Sequence, residues 1–314
     1  MGAFMWEKTV VVERAQVVDA SLERVWSLLS GPAMWSLMPG LSFAFAVPDP
    51  PAGEGRLFLS LGATSRDVSG TVLEVCDEVA GQMIQVRTRG VQPAKAATYT
   101  LAVAPDPGGV LTRAQVRFPV ARPGVVQAEA GWRSRLTGWL AALQAVAEGR
   151  APWPASALPD PARQALTGRA EVKDAINVSA EVLIGASPNA VWQAIRSLTG
   201  LRAAVEAVCC GQVPGSPDGR GAMRYAIFGS GARLHATVSV VRELLPERSV
   251  TLRRVGPPGE ESSYRLASAT GGTRLELAVR WPVKAWREGM PQTLTDVLQA
   301  RARRWQELIE QPDQ

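Results

Sequence analysis

Val17-Val18-Asp19-Ala20-Ser21, followed by Val25-Trp26, recurs as Leu183-Ile184-Gly185-Ala186-Ser187, followed by Val191-Trp192, displaced by 166 residues. Each stretch reads as the end of a strand, a turn and the opening of a helix. Ser21 and Ser187 are residues that cap helix N-termini, and Pro188 suits a first helical position, where a missing N–H is no loss. The correspondence then continues in order. Thr71-Val72 meets Thr237-Val238, and Ile84 to Gly90 meets Val250 to Gly256. After a drift of a few residues, Tyr99-Thr100-Leu101 meets Tyr264-Arg265-Leu266, and Val116-Arg117-Phe118-Pro119-Val120 meets Val279-Arg280-Trp281-Pro282-Val283. An ordered series of this kind predicts two diverged copies of one domain.

The copies span residues 1–149 and 175–314, and a chain of 314 residues can afford two such cores. Residues 150–174 between them carry Pro152, Pro154, Pro159 and Pro161. Proline fixes φ and removes a donor, so this stretch reads as an extended linker, with room for a short helix around Ala162 to Leu166.

Each copy opens with a strand, Val10 to Val18 and Asn177 to Ile184, and continues into a helix ending near Ser30 and Arg196. In the first copy a short second helix with Met34, Trp35 and Leu37 follows, stopped by Pro39-Gly40. Five strand-like alternations come next. They are Arg56–Leu61, Asp67–Val75, Met83–Thr88, Ala97–Val103 and Thr112–Val120, and then Met223–Phe228, Arg233–Arg242, Val250–Val255, Ser263–Ala267 and Thr273–Val283. Each copy closes with a long helix. Its stripe is Val125, Leu136, Leu140 and Leu143 in the first, and Leu294, Val297, Leu298, Arg301, Trp305 and Leu308 in the second. The predicted class is α+β: a curved antiparallel sheet around a long C-terminal helix, twice. Such a sheet cannot close fully on one helix, and the space between them is where a small ligand would lie.

Composition narrows the function. Lys and Arg number 34 against 29 Asp and Glu, for a net charge of +5, and no basic run of five appears. Nucleic acid is therefore not the expected partner. The odd cysteine count (Cys76, Cys209, Cys210) argues against a disulfide framework. No secretory signal and no membrane-spanning apolar run is visible, so a cytoplasmic location is expected. One histidine excludes a multi-histidine metal site, and no phosphate-binding or dinucleotide fingerprint is present. No metal or cofactor is expected.

The order of elements, the openings Ala20-Ser21…Val25-Trp26 and Ala186-Ser187-Pro188…Val191-Trp192, and the long final helices resemble the START-like helix-grip superfamily, which includes polyketide cyclases and lipid-transfer domains. The tandem arrangement is similar to that of didomain aromatase/cyclases. Val25 to Leu41, with Leu37-Met38-Pro39-Gly40, also resembles the G-type subunits of carbon monoxide dehydrogenase, a subfamily whose members bind quinone-like or membrane-associated ligands. The resemblance implies fold, and no catalytic residue is transferred from it.

Comparing the copies sorts the strand residues by face, because side chains alternate. Leu57, Leu59 and Leu61 match Met223, Tyr225 and Ile227, and are expected to face inward, as are Ile84 and Val86 with their partners Val250 and Leu252. Arg87 and Arg253, like Arg117 and Arg280, fall out of phase and read as solvated. The second interior is then the more polar: Leu59 becomes Tyr225 and Thr88 becomes Arg254. Tyr225, Arg254, Tyr264 and His235 are the candidate catalytic residues. The first three could steady an enolate, and His235 could act as a base, although a surface histidine is the plainer reading. Trp281, Trp305, Trp35, Tyr99 and Phe118 are the candidate ligand-binding walls, whereas Trp26 and Trp192 are packing residues. Arg301 could reach the cavity mouth or snorkel to solvent. The resulting expectation is a cofactor-independent cyclase or aromatase acting on a polyketide-like intermediate. The alternative is a module that carries or sequesters an apolar molecule such as a quinone, a lipid or a toxic metabolite. Neither fixes an oligomeric state.

Overall fold

The computed structural model describes residues 7–38, 43–48, 55–63, 68–89, 96–155, 174–230, 233–255, 259–283 and 290–311. They form two compact units, each taken by itself. Residues 156–173, most of the expected linker and its short helix, and the Pro39-Gly40 stop lie outside the described residues.

The first unit begins with β1 (Glu7–Val18), α1 (Leu22–Leu29) and α2 (Ala33–Ser36). Strands β2 (Phe43–Ala46), β3 (Leu57–Ala63), β4 (Val68–Val79), β5 (Met83–Arg89), β6 (Thr98–Asp106) and β7 (Gly109–Ala121) follow, and α3 (Val125–Ala147) closes it. The sheet has seven strands in the order β1-β7-β6-β5-β4-β3-β2. The first strand and the last thus become neighbours, antiparallel from Glu7 opposite Ala121 to Val18 opposite Val110. Ser21 caps α1 by accepting from the Arg24 N–H, as its place in the sequence predicts. The apolar stripe of α3, with Leu136, Trp139, Leu140 and Leu143, packs against Val10, Val12, Ile84, Val86, Leu101 and Val116 of the sheet. Trp139 also donates its indole N–H to the Met34 carbonyl at 2.8 Å, fastening α2 to α3.

The second unit repeats the plan. Its elements are β8 (Ala175–Ile184), α4 (Pro188–Arg196), α5 (Leu198–Ala204), β9 (Cys209–Gln212), β10 (Met223–Phe228), β11 (His235–Leu245), β12 (Ser249–Arg254), β13 (Glu261–Ala269), β14 (Gly272–Pro282) and α6 (Met290–Glu310). The strand order is β8-β14-β13-β12-β11-β10-β9, the same as in the first unit. Ser187 caps α4 through the Ala190 N–H and Ser197 caps α5 through the Gly200 N–H. Leu294, Leu298, Ala302, Trp305 and Ile309 of α6 pack on the sheet. Both sheets also carry a register shift at one place, between Val75 and Asp77 in β4–β5 and between Val241 and Glu243 in β11–β12. The extra residues are Cys76 and Arg242, again 166 positions apart. Such bulges bend a sheet and increase its local twist.

Four expectations change. Each sheet gains a short edge strand, β2 or β9, that periodicity does not reveal in four residues. Val297 and Leu308 lie exposed beside the α6 stripe. Arg253 is buried, not solvated. The matched sets Leu57, Leu59, Leu61 and Met223, Tyr225, Ile227 are buried, but on the sheet face away from the closing helix, where Phe58 represents the helix side in the first unit. Residues on both faces are buried there, so an apolar alternation does not identify the inner one.

Candidate functional site

A cavity of about 250 Å³ lies in the second unit, between the inner face of β10–β13 and the helices α5 and α6. Period two builds its walls. β10 contributes Arg224, Ala226 and Phe228; β11 contributes Thr237 and Ser239; β12 contributes Leu252 and Arg254; and β13 contributes Ser262 and Tyr264. Leu201 and Val205 at α5, Arg301 of α6 and Glu260 before β13 complete it. The volume is just below the roughly 300–1,000 Å³ usual for sites of drug-sized ligands, so the cavity has room only for a small molecule. A larger groove, about 600 Å³, lies on the opposite face of the same sheet. Its Arg265 and Arg280 reach Glu276 and Glu261 at 3.4 Å, so these charges are offset within the protein.

The cavity gathers charge within a lining that is part apolar and part hydroxyl-bearing. Arg254 Nη1 lies 3.1 Å from Glu260 Oε1, while Glu260 Oε2 is buried with no hydrogen-bond partner among the described residues. Arg224 Nε is likewise buried without an acceptor. Burial, and then the neighbouring Arg196 guanidinium, hold the Arg224 pKa below the ordinary arginine value. Tyr264 is buried, its ring edge-on to Trp305 with centroids 6.4 Å apart.

The structure divides the sequence-predicted residues. Arg254 and Tyr264 line the cavity together. Tyr225 lies in the same wall, but alternation with Arg224 and Ala226 turns its ring to the other face, over Gly211 of β9. His235, the first residue of β11, is exposed, with Nδ1 3.2 Å from the Arg233 carbonyl oxygen, and is not among the lining residues. Trp305 is fully buried behind Tyr264, and Trp281 is partly buried against the same core. In the first unit Trp35 meets Tyr99 edge-on at 5.2 Å and Trp139 at 5.3 Å, while Phe118 lies against Trp132 at 5.6 Å. These side chains pack on one another, and burial raises the Tyr99 pKa far above the ordinary phenol value. Sequence reasoning did not single out Arg224 or Glu260. The parity of Arg224 with Arg254 across the sheet was the available signal, masked by the apolar Met223, Tyr225 and Ile227 between which it sits.

Among the described residues no helix is long and apolar enough to cross a membrane. An antiparallel sheet gripping a long terminal helix, repeated in tandem with a cavity beneath one copy, defines a didomain helix-grip protein. Residues 9–148, within the first domain, match the family model described as polyketide cyclase / dehydrase and lipid transport. Among solved structures it is similar to the di-domain ARO/CYC BexL from the BE-7585A biosynthetic pathway, at 14% identity over 96% of this chain and 99% of that one, with a TM-score of 0.38. The di-domain ARO/CYC StfQ from the steffimycin biosynthetic pathway is similar at 12% identity over 98% and 99%, with a TM-score of 0.36. The Aha1 dimer from Colwellia psychrerythraea covers 44% of this chain and 99% of its own at 18% identity, with a TM-score of 0.34. A search of curated protein sequences finds no match.

Proposed function

We propose that the chain is a cyclase or aromatase that takes a small polyketide-like molecule into the cavity of its second domain and promotes ring closure there. The observation that carries this reading is the meeting of Arg224, Arg301, Glu260 and Tyr264 on one cavity. An aldol closure begins when a base removes a proton from the carbon between two carbonyls. Glu260 Oε2, buried and without a partner among the described residues, supplies the acceptor. Negative charge then grows on the enolate oxygen, where a guanidinium held in a water-poor site stabilises it more than water would. The enolate carbon attacks a second carbonyl of the same molecule, a C–C bond forms, and the proton returns to the new alkoxide oxygen. Elimination of water then yields the unsaturated ring. Proton transfer, C–C bond formation and loss of water together are redox-neutral, so the reaction calls on no oxidant or reductant. The cavity adds proximity by holding a flexible chain folded.

The test is to mix the full chain with a linear β-tetraketide thioester and follow it by mass spectrometry and ultraviolet absorbance. Ring closure should be faster than in buffer and slowed by Glu260→Gln. Loss of the intact tetraketide no faster than in buffer would refute the reading. The position of the sole histidine outside the cavity favours a second reading, carriage of an apolar molecule without turnover. A bound, chemically unchanged molecule in mass spectra of the purified protein would support it.

A further inference from the structure

The lining of the second cavity is out of charge balance. Three arginines, Arg224, Arg254 and Arg301, face it against one carboxylate, Glu260. Arg254 uses that carboxylate, through the 3.1 Å contact of its Nη1. Neither Arg224 nor Arg301 has an ion-pair partner among the described residues. Arg224 is the more exacting case, because its Nε is buried without an acceptor among the described residues and the Arg196 guanidinium acts on it with a like charge. A buried cation facing a like charge is costly, and an anion placed against it removes that cost. Two of the four arginines of the outer groove show the contrast, for Arg265 and Arg280 both reach carboxylates of the protein itself.

We infer that the ligand of this cavity is an organic carboxylate, its two oxygens paired with Arg224 and its apolar body against Leu201, Val205, Phe228 and Leu252. A guanidinium presents two parallel N–H donors that match the two carboxylate oxygens, so the charge and the shape of the missing partner agree. Arg301, on the helix opposite, adds attraction at longer range. This names the substrate class of the cavity proposed above as a reaction chamber, and rests on the ligand entering there. A molecule closing its ring in this site would carry a free acid at one end, with the reacting carbonyls displaced toward Glu260 and Tyr264.

Binding of naphthoate and of its neutral counterpart naphthamide to the purified full chain, measured by isothermal titration calorimetry, tests the inference. The acid should bind about tenfold to a hundredfold more tightly than the amide, the range of one hydrogen-bonded charge pair. Arg224→Met should erase the difference between acid and amide, and Arg224→Lys should keep part of it. Circular dichroism establishes that each variant is folded, and Arg224→Gln serves as the charge-free variant if Arg224→Met is not. Equal binding of acid and amide, no binding of either, a preference that survives removal of the Arg224 charge, or inorganic phosphate competing as strongly as naphthoate would each overturn it. Ring closure is read separately. A carboxylate preference without turnover would sink the cyclase reading and leave this inference standing, and turnover without the preference would do the reverse.

Discussion

Gly272→Ala should be among the most damaging single-methyl additions in the second domain. Gly272 opens β14 at φ +150°, a conformation that side-chain-bearing residues rarely adopt. It stands at the tight turn from β13, and a Cβ added there would run into the carbonyl oxygen of Ile184, far inside van der Waals separation. That carbonyl cannot retreat freely, because it already accepts the Ala186 N–H at 2.8 Å and ends the strand that leads into α4. The backbone penalty is about 1–3 kcal/mol, and the forced displacement adds about 1–3 kcal/mol more. Against a domain stability of roughly 5–15 kcal/mol, this lowers the melting temperature by about 10 °C. Far-UV circular dichroism of the full chain on heating measures it. Gly109 occupies the same place in the first copy, at φ +129° and facing the Val18 carbonyl, so Gly109→Ala should cost its own domain as much. A melting curve of Gly272→Ala superimposable on that of the parent protein would refute the reasoning.

Three further outcomes follow from the structure. Trp139→Phe removes the 2.8 Å bond to the Met34 carbonyl and should cost the first domain about 1–3 kcal/mol, seen as a lower urea midpoint; an unchanged midpoint would count against the bond. Burial holds the Cys210 thiol pKa above its ordinary value, and burial followed by the Glu74 charge does the same for Cys76. Both should therefore react with iodoacetamide more slowly than free cysteine at neutral pH, the gap closing as pH rises; equal rates at neutral pH would contradict this. Glu148 titrates below the usual carboxylate range, owing first to the Arg150 side chain, then to the Asp19 N–H and Gln144. Because the folded value is depressed, its contribution to stability is present above the ordinary carboxylate pKa and fades as pH falls toward the folded value. Carbon-detected NMR titration should show the Glu148 midpoint rising in Arg150→Ala, and an unmoved midpoint would remove Arg150 as the cause.

Much of the fold was written plainly in the chain. The 166-residue displacement located both copies, and Ser21, Ser187 and Pro188 located their first helices, because caps are local chemistry that survives divergence. The four-residue edge strands escaped, since Phe43–Ala46 and Cys209–Gln212 are too short to show a period. The site was half legible. Arg254 and Tyr264 were found by comparing the copies, Arg254 standing where the first has Thr88 and Tyr264 where it has Tyr99. On β10 the rule failed: Met223, Tyr225 and Ile227 are buried on the outer face, so their alternation assigned the wrong side and hid Arg224. His235 has the parity of Thr237 and Ser239, yet it starts its strand and is exposed. Alternation gives direction but not depth.

Cys76 and Arg242 leave one more mark on these two copies. An unpaired residue in mid-strand exchanges odd for even, so that Thr237, Ser239 and Val241 look toward the helix before it and Leu244 does so after it. Losing that single residue from either half of the chain would turn the remainder of the strand inside out, whereas trading one lining side chain for another leaves the chassis intact. Duplicated scaffolds of this kind are free to change what their interiors hold while being barred from changing how they bend, so one copy can stay packed while the other opens a hollow, without either ceasing to fold.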